Sequence, residues 1–302
     1  MKLSVVVPCY NEAVNVSEFE SELSKALLKE KITYEIIFID DGSTDDTYSK
    51  LSSLNKANKN VKVIRFSRNF GKESAMLAGL KNASGSYVAI MDADLQHTPE
   101  MLVLMYKKLI NDDSFDCCCA YKSNREDEGS LKRTLTSLFY KINNKISDVK
   151  LLPGASDFRV FKKSVCDAIT SLDEKTRFLK GMFSWVGFNT IYVPYIPEKR
   201  MYGTSKWSLF KLLKYSLGGI ISFSTKPIKS VFIIGVLALI VGLLNFILMG
   251  NLANRTIILF ISFIMLQLGI ISLYVSRIYS NILNRPCYII KEKLGFNDKS
   301  SK

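Results

Sequence analysis

Two stretches of 21 residues each, Ser230–Gly250 and Thr256–Ser276, carry no charged side chain. An α-helix rises about 1.5 Å per residue, so each is long enough to cross the hydrocarbon core of a bilayer. Only Asn251–Arg255 separates them, which confines the pair to a hairpin. Basic residues flank its open end: Lys226 and Lys229 before it, Arg277, Arg285, Lys291 and Lys293 after it. The positive-inside bias then puts both chain ends in the cytoplasm. Two helices buried in a soluble core are the contrasting reading, and the length and the flanks weigh against it. A signal peptide is not supported, because Leu3–Val7 is too short and stops at Pro8.

The net charge is +13, and from Lys199 to Lys229 there are seven basic residues and no acidic one. Nucleic acid could attract such a stretch. An anionic membrane face suits it better, because it leads straight into the apolar segments, and no nucleic-acid partner is expected. Within it Trp207, Leu209, Phe210, Leu212, Leu213 and Leu217 alternate with lysines, the pattern of an amphipathic helix lying in the interface.

Before that region, short apolar runs alternate with helical patterns: Leu3–Val7 then Val14–Leu28, Tyr34–Ile39 then Asp45–Leu54, Val61–Phe66 then Lys72–Lys81. The series goes on with Tyr87–Met91, Pro99–Ile110, Cys117–Ala120 and a mixed helix over Ser130–Ile146. Such alternation predicts an α/β domain with a mostly parallel sheet covered on both faces, with ligands bound at the carboxyl ends of the strands. No GxGxxG and no GxxxxGK[ST] occurs, so neither a dinucleotide fold nor a P-loop is supported. The six cysteines show no zinc spacing, and His97 is the only histidine, which excludes a histidine triad. Thr98 reads as a helix N-cap with Pro99 at the first helical position.

The fourth run ends in Asp92, Ala93 and Asp94. Carboxylates on alternate residues of an extended segment share a face, and a divalent cation would relieve their repulsion. Simple turn chemistry is the other reading. Asp40 and Asp41 in "IFIDDGSTDDT" are open in the same way, to a turn around Gly42 and to a carboxylate that accepts a hydrogen bond from a base.

Taken in order, "VVVPCYNE", "IDDGSTDDT", "RNFGKESAMLAGL", "MDADLQHTPE", "SDFRVF" and "KRMYGTSKW", followed by two apolar spans, resemble the family 2 glycosyltransferases of GT-A fold, in particular those with polyprenyl-phosphate acceptors. The resemblance covers nearly the whole chain and is weakest after Arg285. It implies a Rossmann-like GT-A domain over 1–205, an interfacial amphipathic segment over 206–229, a two-helix transmembrane hairpin over 230–276 and a basic cytoplasmic tail over 277–302. By the same resemblance Pro8, Tyr10, Glu12, Ile39 and Asp41 would hold the nucleoside. Asp92 and Ala93 would also contact the donor nucleotide, Asp94 would be catalytic together with Asp157, and Asp92, Asp94 and Gln96 would bind Mg2+ or Mn2+. Arg125, Arg200 and Lys206 would meet phosphates, and Asp157 matches the carboxylate usually taken as the base. Arg68 and Lys72 could approach the donor, but a turn with Gly71 opening a helix explains them as well, and they stay outside the expected set.

The implied reaction is inverting transfer of a sugar from a nucleotide-sugar, UDP-glucose being the type case, to a polyprenyl phosphate at the cytoplasmic face of a bacterial inner membrane. A homotetramer and a flippase partner are further expectations. A phosphate monoester has a second pKa of about 6 and is already mostly ionised at neutral pH. Asp157 is therefore expected to orient the acceptor and stabilise charge on the sugar more than to remove a proton. Its alternative role is to pair with Arg159 or Arg125. The contrasting functions are a processive polysaccharide synthase, against which the missing Q-x-x-R-W stretch counts, and a non-catalytic scaffold that binds nucleotide-sugar.

Overall fold

The period-two pattern of the apolar strands decides how the layers assemble. In β1 (Lys2–Cys9) and β2 (Thr33–Asp40), Val5, Val7, Ile36 and Phe38 enter one core, while Val6, Ile37 and Ile39 enter another on the opposite face of the sheet. The computed structural model describes residues 1–122, 130–147, 149–175, 177–195, 222–248 and 253–296. After β2 come α2 (Thr47–Ala57), β3 (Val61–Phe66), α3 (Lys72–Asn82), β4 (Tyr87–Ile90), α4 (Pro99–Asn111) and β5 (Cys117–Lys122); α1 (Val16–Lys29) lies between β1 and β2. Next are α5 (Ser130–Ile146), β6 (Ala155–Lys162), α6 (Lys163–Ser171), α7 (Leu179–Trp185) and β7 (Thr190–Tyr195). The described chain closes with α8 (Lys226–Leu248), α9 (Ala253–Ile282) and β8 (Ile290–Leu294).

Among the described residues one sheet runs in the order β7-β5-β6-β4-β1-β2-β3-β8. β4, β1, β2 and β3 are parallel, as expected, and β7 is parallel to β5. β6 runs antiparallel to both β4 and β5, and β8 antiparallel to β3. Helices α1 and α4 cover one face, where Phe19, Leu23, Leu102 and Leu109 are fully buried; α3, α6 and α7 cover the other through Met76, Leu80, Val165 and Met182. Each such side chain contributes about 1.5–3 kcal/mol on burial. Gly79 lets α3 lie directly on the sheet, because a Cβ there would collide with Val6 Cγ1 and lie 2.8 Å from Ile39 Cδ1.

Two features of this sheet set up the site. The chain leaves β1 toward β2 and β3, then crosses to β4 on the other side of β1, which opens a crevice at the carboxyl ends of β1 and β4. Because β6 is antiparallel to β4 with Ile90 opposite Arg159, the same register continued for two residues brings the start of β6, at Asp157, beside Asp92.

The region after Ser222 departs from expectation at its end. Helices α8 and α9 follow one another and make contact. Among the described residues, Phe263–Ile282 within α9 is long and apolar enough to cross a membrane by length and composition. The helix thus runs past Ser276, where the second span was expected to stop. Residues 277–302, expected to be a basic tail, instead contain β8, which returns to the sheet and closes its β3 edge. Residues 206–221 of the expected interfacial segment lie outside the described residues.

Candidate active site

The loops after β1 and β2 are laced together by hydrogen bonds that the local sequence dictates. Asn11, in the left-handed region at φ 53°, receives the Thr44 N–H on its side-chain oxygen at 2.9 Å and donates its own N–H to Ser43 Oγ at 3.0 Å. The Glu12 N–H donates to Thr47 Oγ1 at 2.9 Å, and the Glu12 carboxylate accepts from Asn15 Nδ2 at 2.6 Å. Pro8 is half-buried, and Tyr10 is exposed at the rim. Ile39, expected at the nucleoside, has its side chain fully buried in the core beneath α3.

Asp41 is almost fully buried, and both carboxylate oxygens accept backbone N–H bonds, from Phe70 at 2.7 Å and Gly71 at 2.9 Å. Burial pushes its carboxyl up to about 6, against the pull of these two N–H groups. Asp41 thus fastens the loop before α3, since a buried carboxylate must find donors. Gly42, at φ 66°, permits the close approach, because a Cβ there would run into the backbone of Arg68 and Asn69.

β4 stops at Ile90, and Ala93–Asp94 forms a turn with Leu95 at φ 56°. The two carboxylates are therefore presented by a turn rather than by a strand pleat. Asp92 and Asp94 are half-buried, Ala93 is buried, and Asp94 Oδ1 accepts the Gln96 N–H at 3.2 Å. Thr98 caps α4 as the sequence predicts, accepting the Met101 N–H at 3.3 Å. Beneath the turn, His97 Nε2 lies 3.0 Å from Tyr195 Oη and 3.2 Å from Ser156 Oγ, which ties the turn to β6 and β7. Burial pushes its imidazole down, so it stays neutral there.

Lys72, the first residue of α3, reaches into the crevice. Its Nζ lies 2.7 and 2.8 Å from the two Asp92 oxygens and 3.4 Å from Asp157 Oδ2. Burial works to lower the ammonium, but Asp92 and Asp157 outweigh it and hold it protonated. On the other side of Asp157, Lys180 of α7 stands 4.0 Å from Oδ1 and donates to the Ala155 carbonyl at 3.0 Å. Burial pushes the Asp157 carboxyl up, yet Lys180, Lys72 and Arg159 together hold it at about 2. Arg159 acts from farther away: it donates to the Ser156 carbonyl at 3.2 Å and lies over the Phe183 ring at 4.4 Å. Asp157 pairs with lysines and not with Arg159, one of the two partners in its alternative role; the other, Arg125, lies outside the described residues.

The structure thus joins Asp92 and Asp157 through Lys72, with Lys180 on the far side of Asp157, two lysines that the motifs left out of the expected set. Lys72 carried a signal, its place at a helix start beside Gly71; Lys180 carried none. Arg125, Arg200 and Lys206 lie outside the described residues. Asp92, Asp94 and Gln96 form an all-oxygen donor set, which fits a hard cation such as Mg2+ or Mn2+. Among the described residues no three His, Cys, Asp or Glu side chains gather as a metal cage. A cation bound here would take its remaining ligands from a diphosphate and water, the usual habit of Mg2+.

Residues 4–170 match the glycosyl transferase family 2 model. A putative glycosyltransferase, CsbB, of Bacillus subtilis (strain 168) is 37% identical, the alignment covering 96% of this chain and 91% of that protein. An SfII prophage-derived bactoprenol glucosyl transferase of Shigella flexneri is 36% identical over 97% of this chain and 98% of that protein. Among solved structures, glucosyl-3-phosphoglycerate synthase from Mycobacterium tuberculosis, crystallised with Mn2+, UDP-glucose and phosphoglyceric acid, shares the fold. Its TM-score is 0.50 at 18% identity, covering 73% of this chain and 77% of that one. The α/β fold is of the GT-A type, and by its family match and its relatives the chain is a glycosyltransferase that belongs to glycosyl transferase family 2.

Proposed function

We propose that the protein transfers a sugar, glucose foremost, from a UDP-sugar to a polyprenyl phosphate at the cytoplasmic face of the membrane, with inversion at C1. One observation carries the reading: Lys72 and Lys180 flank Asp157 at 3.4 and 4.0 Å, and Lys72 joins it to Asp92 in the crevice of the sheet. The relative named bactoprenol glucosyl transferase, matched over nearly its whole length, supports the choice of acceptor.

Cleavage of the C1–diphosphate bond builds negative charge on the leaving group. Mg2+ or Mn2+, held by Asp92, Asp94 and Gln96, would act as a Lewis acid toward that charge. Lys72, at the first turn of α3, adds a fixed ammonium close by, and the helix N-terminus favours an anion there too. Arg125, Arg200 and Lys206 are assigned to the phosphates on the strength of the family motif. Asp157 is too weak a base at about 2 to draw a proton from an acceptor that is itself ionised near neutrality. Its role is to stay negative, facing the sugar ring as positive charge develops there, and to orient the acceptor.

The membrane arrangement belongs to the same proposal. α8 has 23 residues and α9 has 30, each long enough to cross a bilayer at about 1.5 Å per residue. The chain enters α8 after the sheet and rejoins the sheet through β8, so an even number of crossings suits it, two spans with both ends cytoplasmic. Transfer of the lipid product to a flippase and a homotetrameric assembly rest on the family resemblance alone.

The test is mass spectrometry of lipid products. Full-length protein in detergent receives undecaprenyl phosphate, Mn2+ and, in turn, UDP-glucose, UDP-N-acetylglucosamine, UDP-galactose and GDP-mannose. One hexosyl-phosphoryl-lipid should form and vanish with EDTA. Glycosylation of no lipid phosphate by any donor would sink the reading.

A further inference from the structure

The strand that follows the membrane helices sits directly behind the loop that opens α3. β8 pairs with β3 through Val63–Leu294, Ile64–Lys293 and Arg65–Glu292, with a bulge before Phe66 meets Ile290. The Ser67 N–H then donates to the Ile289 carbonyl at 3.0 Å, which carries the pairing past the end of β3. Tyr288 lays its ring flat on Phe66, with centroids 5.0 Å apart and planes 8° from parallel. Phe66 in turn meets Phe70 edge to face at 5.8 Å. Phe70 is the residue whose N–H reaches Asp41 at 2.7 Å, and Lys72 lies two residues farther on.

Loop 67–71 is therefore gripped from two sides. Asp41 and Gly42 hold it in front; the Tyr288–Phe66 stack holds it behind. The grip behind comes from a segment that is otherwise remote from the crevice, and Lys293 Nζ anchors that segment to the far end of α3 by donating to Asn82 Oδ1 at 2.9 Å. Both ends of α3 thus depend on residues 288–293.

We propose that Tyr288 is a positioning residue for the nucleotide-sugar site: by stacking on Phe66 it sets Phe70, and through Phe70 it sets Asp41 and Lys72, so that the post-membrane segment is a working part of the donor pocket. The inference rests on the donor reading given above. A flat aromatic pair contributes little to the stability of a core this large, but its loss frees the loop that orders two site residues. The expected loss of donor affinity is about three- to tenfold.

The experiment uses full-length protein in lipid nanodiscs with four chains: wild type, Tyr288→Ala, Tyr288→Leu, which keeps apolar bulk without the stack, and Tyr288→Phe, which keeps the stack. Donor affinity with Mn2+ is read by calorimetry, with the nucleotide-sugar that wild type binds best of the four named above. The KM for undecaprenyl phosphate and amide exchange at residues 68–72 without donor are read on the same samples. Expected are a three- to tenfold weaker donor in the Ala and Leu variants, faster exchange in the loop, an unchanged lipid KM, and wild-type behaviour of Tyr288→Phe. If Tyr288→Ala does not fold, Tyr288→Leu decides. Donor affinity and loop exchange equal to wild type overturn the proposal, as does a parallel loss of donor and lipid affinity. A wild type that binds none of the nucleotide-sugars sinks the donor reading instead, while the exchange data still judge the strap.

Discussion

Lys72 Nζ stands 2.7 Å from Asp92 Oδ1, so the first carboxylate of the Asp-Ala-Asp turn carries its own counter-charge before any cation arrives. The same ammonium reaches Asp157 at 3.4 Å and joins two strands that approach only because β6 runs against β4. A hydrogen bond to a charged group is worth about 1.5–3 kcal/mol, or roughly ten- to a hundredfold in affinity. Lys72→Met should therefore lower kcat/KM for the nucleotide-sugar by that factor. By the same charge argument it should tighten the binding of Mn2+ alone, since the carboxylates lose a competitor. Titration of Mn2+ by electron paramagnetic resonance, with and without donor, checks both; weaker binding of Mn2+ alone would contradict the arrangement.

Asp157→Asn should cut turnover by a factor that stays level from pH 6 to 8. The wild-type carboxyl, held at about 2, is fully ionised over that whole range, so its loss removes a constant charge. A defect that shrinks as the acceptor phosphate ionises would instead assign proton removal to this side chain. Initial rates on the lipid acceptor at five pH values are enough.

Asp94→Ala removes one oxygen ligand from the turn and should abolish the effect of EDTA on donor affinity. Wild-type affinity by calorimetry should fall at least tenfold when the chelator is added. Equal donor affinity with and without EDTA in the wild type would remove the cation from the reading of the Asp-Ala-Asp turn.

Glu35 supplies a test of stability. Buried on β2, opposite Ser4 of β1, it accepts from Ser4 Oγ at 2.5 Å and the Ser84 N–H at 2.8 Å, and pairs with Lys2 at 2.9 Å and Lys62 of β3 at 2.7 Å. Burial pushes its carboxyl up, but Lys62, Ser4, Ser84 and Lys2 outweigh this and hold it at about 2, below its ordinary 4.5. A folded-state value below the unfolded one gives stability that is present above pH 4.5 and is lost as pH falls toward 2. The amount is on the order of 3 kcal/mol. Glu35→Gln should lower the unfolding midpoint at pH 7 and flatten its fall with acid. A midpoint equal to wild type at pH 7 would show that the lysines contribute nothing.

Much of this architecture is legible in the chain. The alternation from Leu3 to Ala120 places the parallel strands, Thr98-Pro99 marks the start of α4, and the loops after the first, second and fourth strands hold the marked polar residues. What escaped has a common physical cause. Lys72 and Lys180 acquire their meaning from Asp157, which reaches them only through strand order, and no local pattern encodes that order. Ile290–Leu294 reads "IKEKL", a charged segment that resembles a solvated tail, yet charge of this kind is what an exposed edge strand carries to avoid pairing with other molecules. The strand ends two residues before Asp92, so a turn and not a shared strand face presents Asp92 and Asp94, as one of the two sequence readings allowed.

β8 also fixes the order in which the protein can mature. Its residues leave the ribosome after both apolar helices, so the nascent sheet waits with its β3 margin bare while α8 and α9 are being made. A chain released before Ile290 would have every other described strand and would still present that margin to its neighbours.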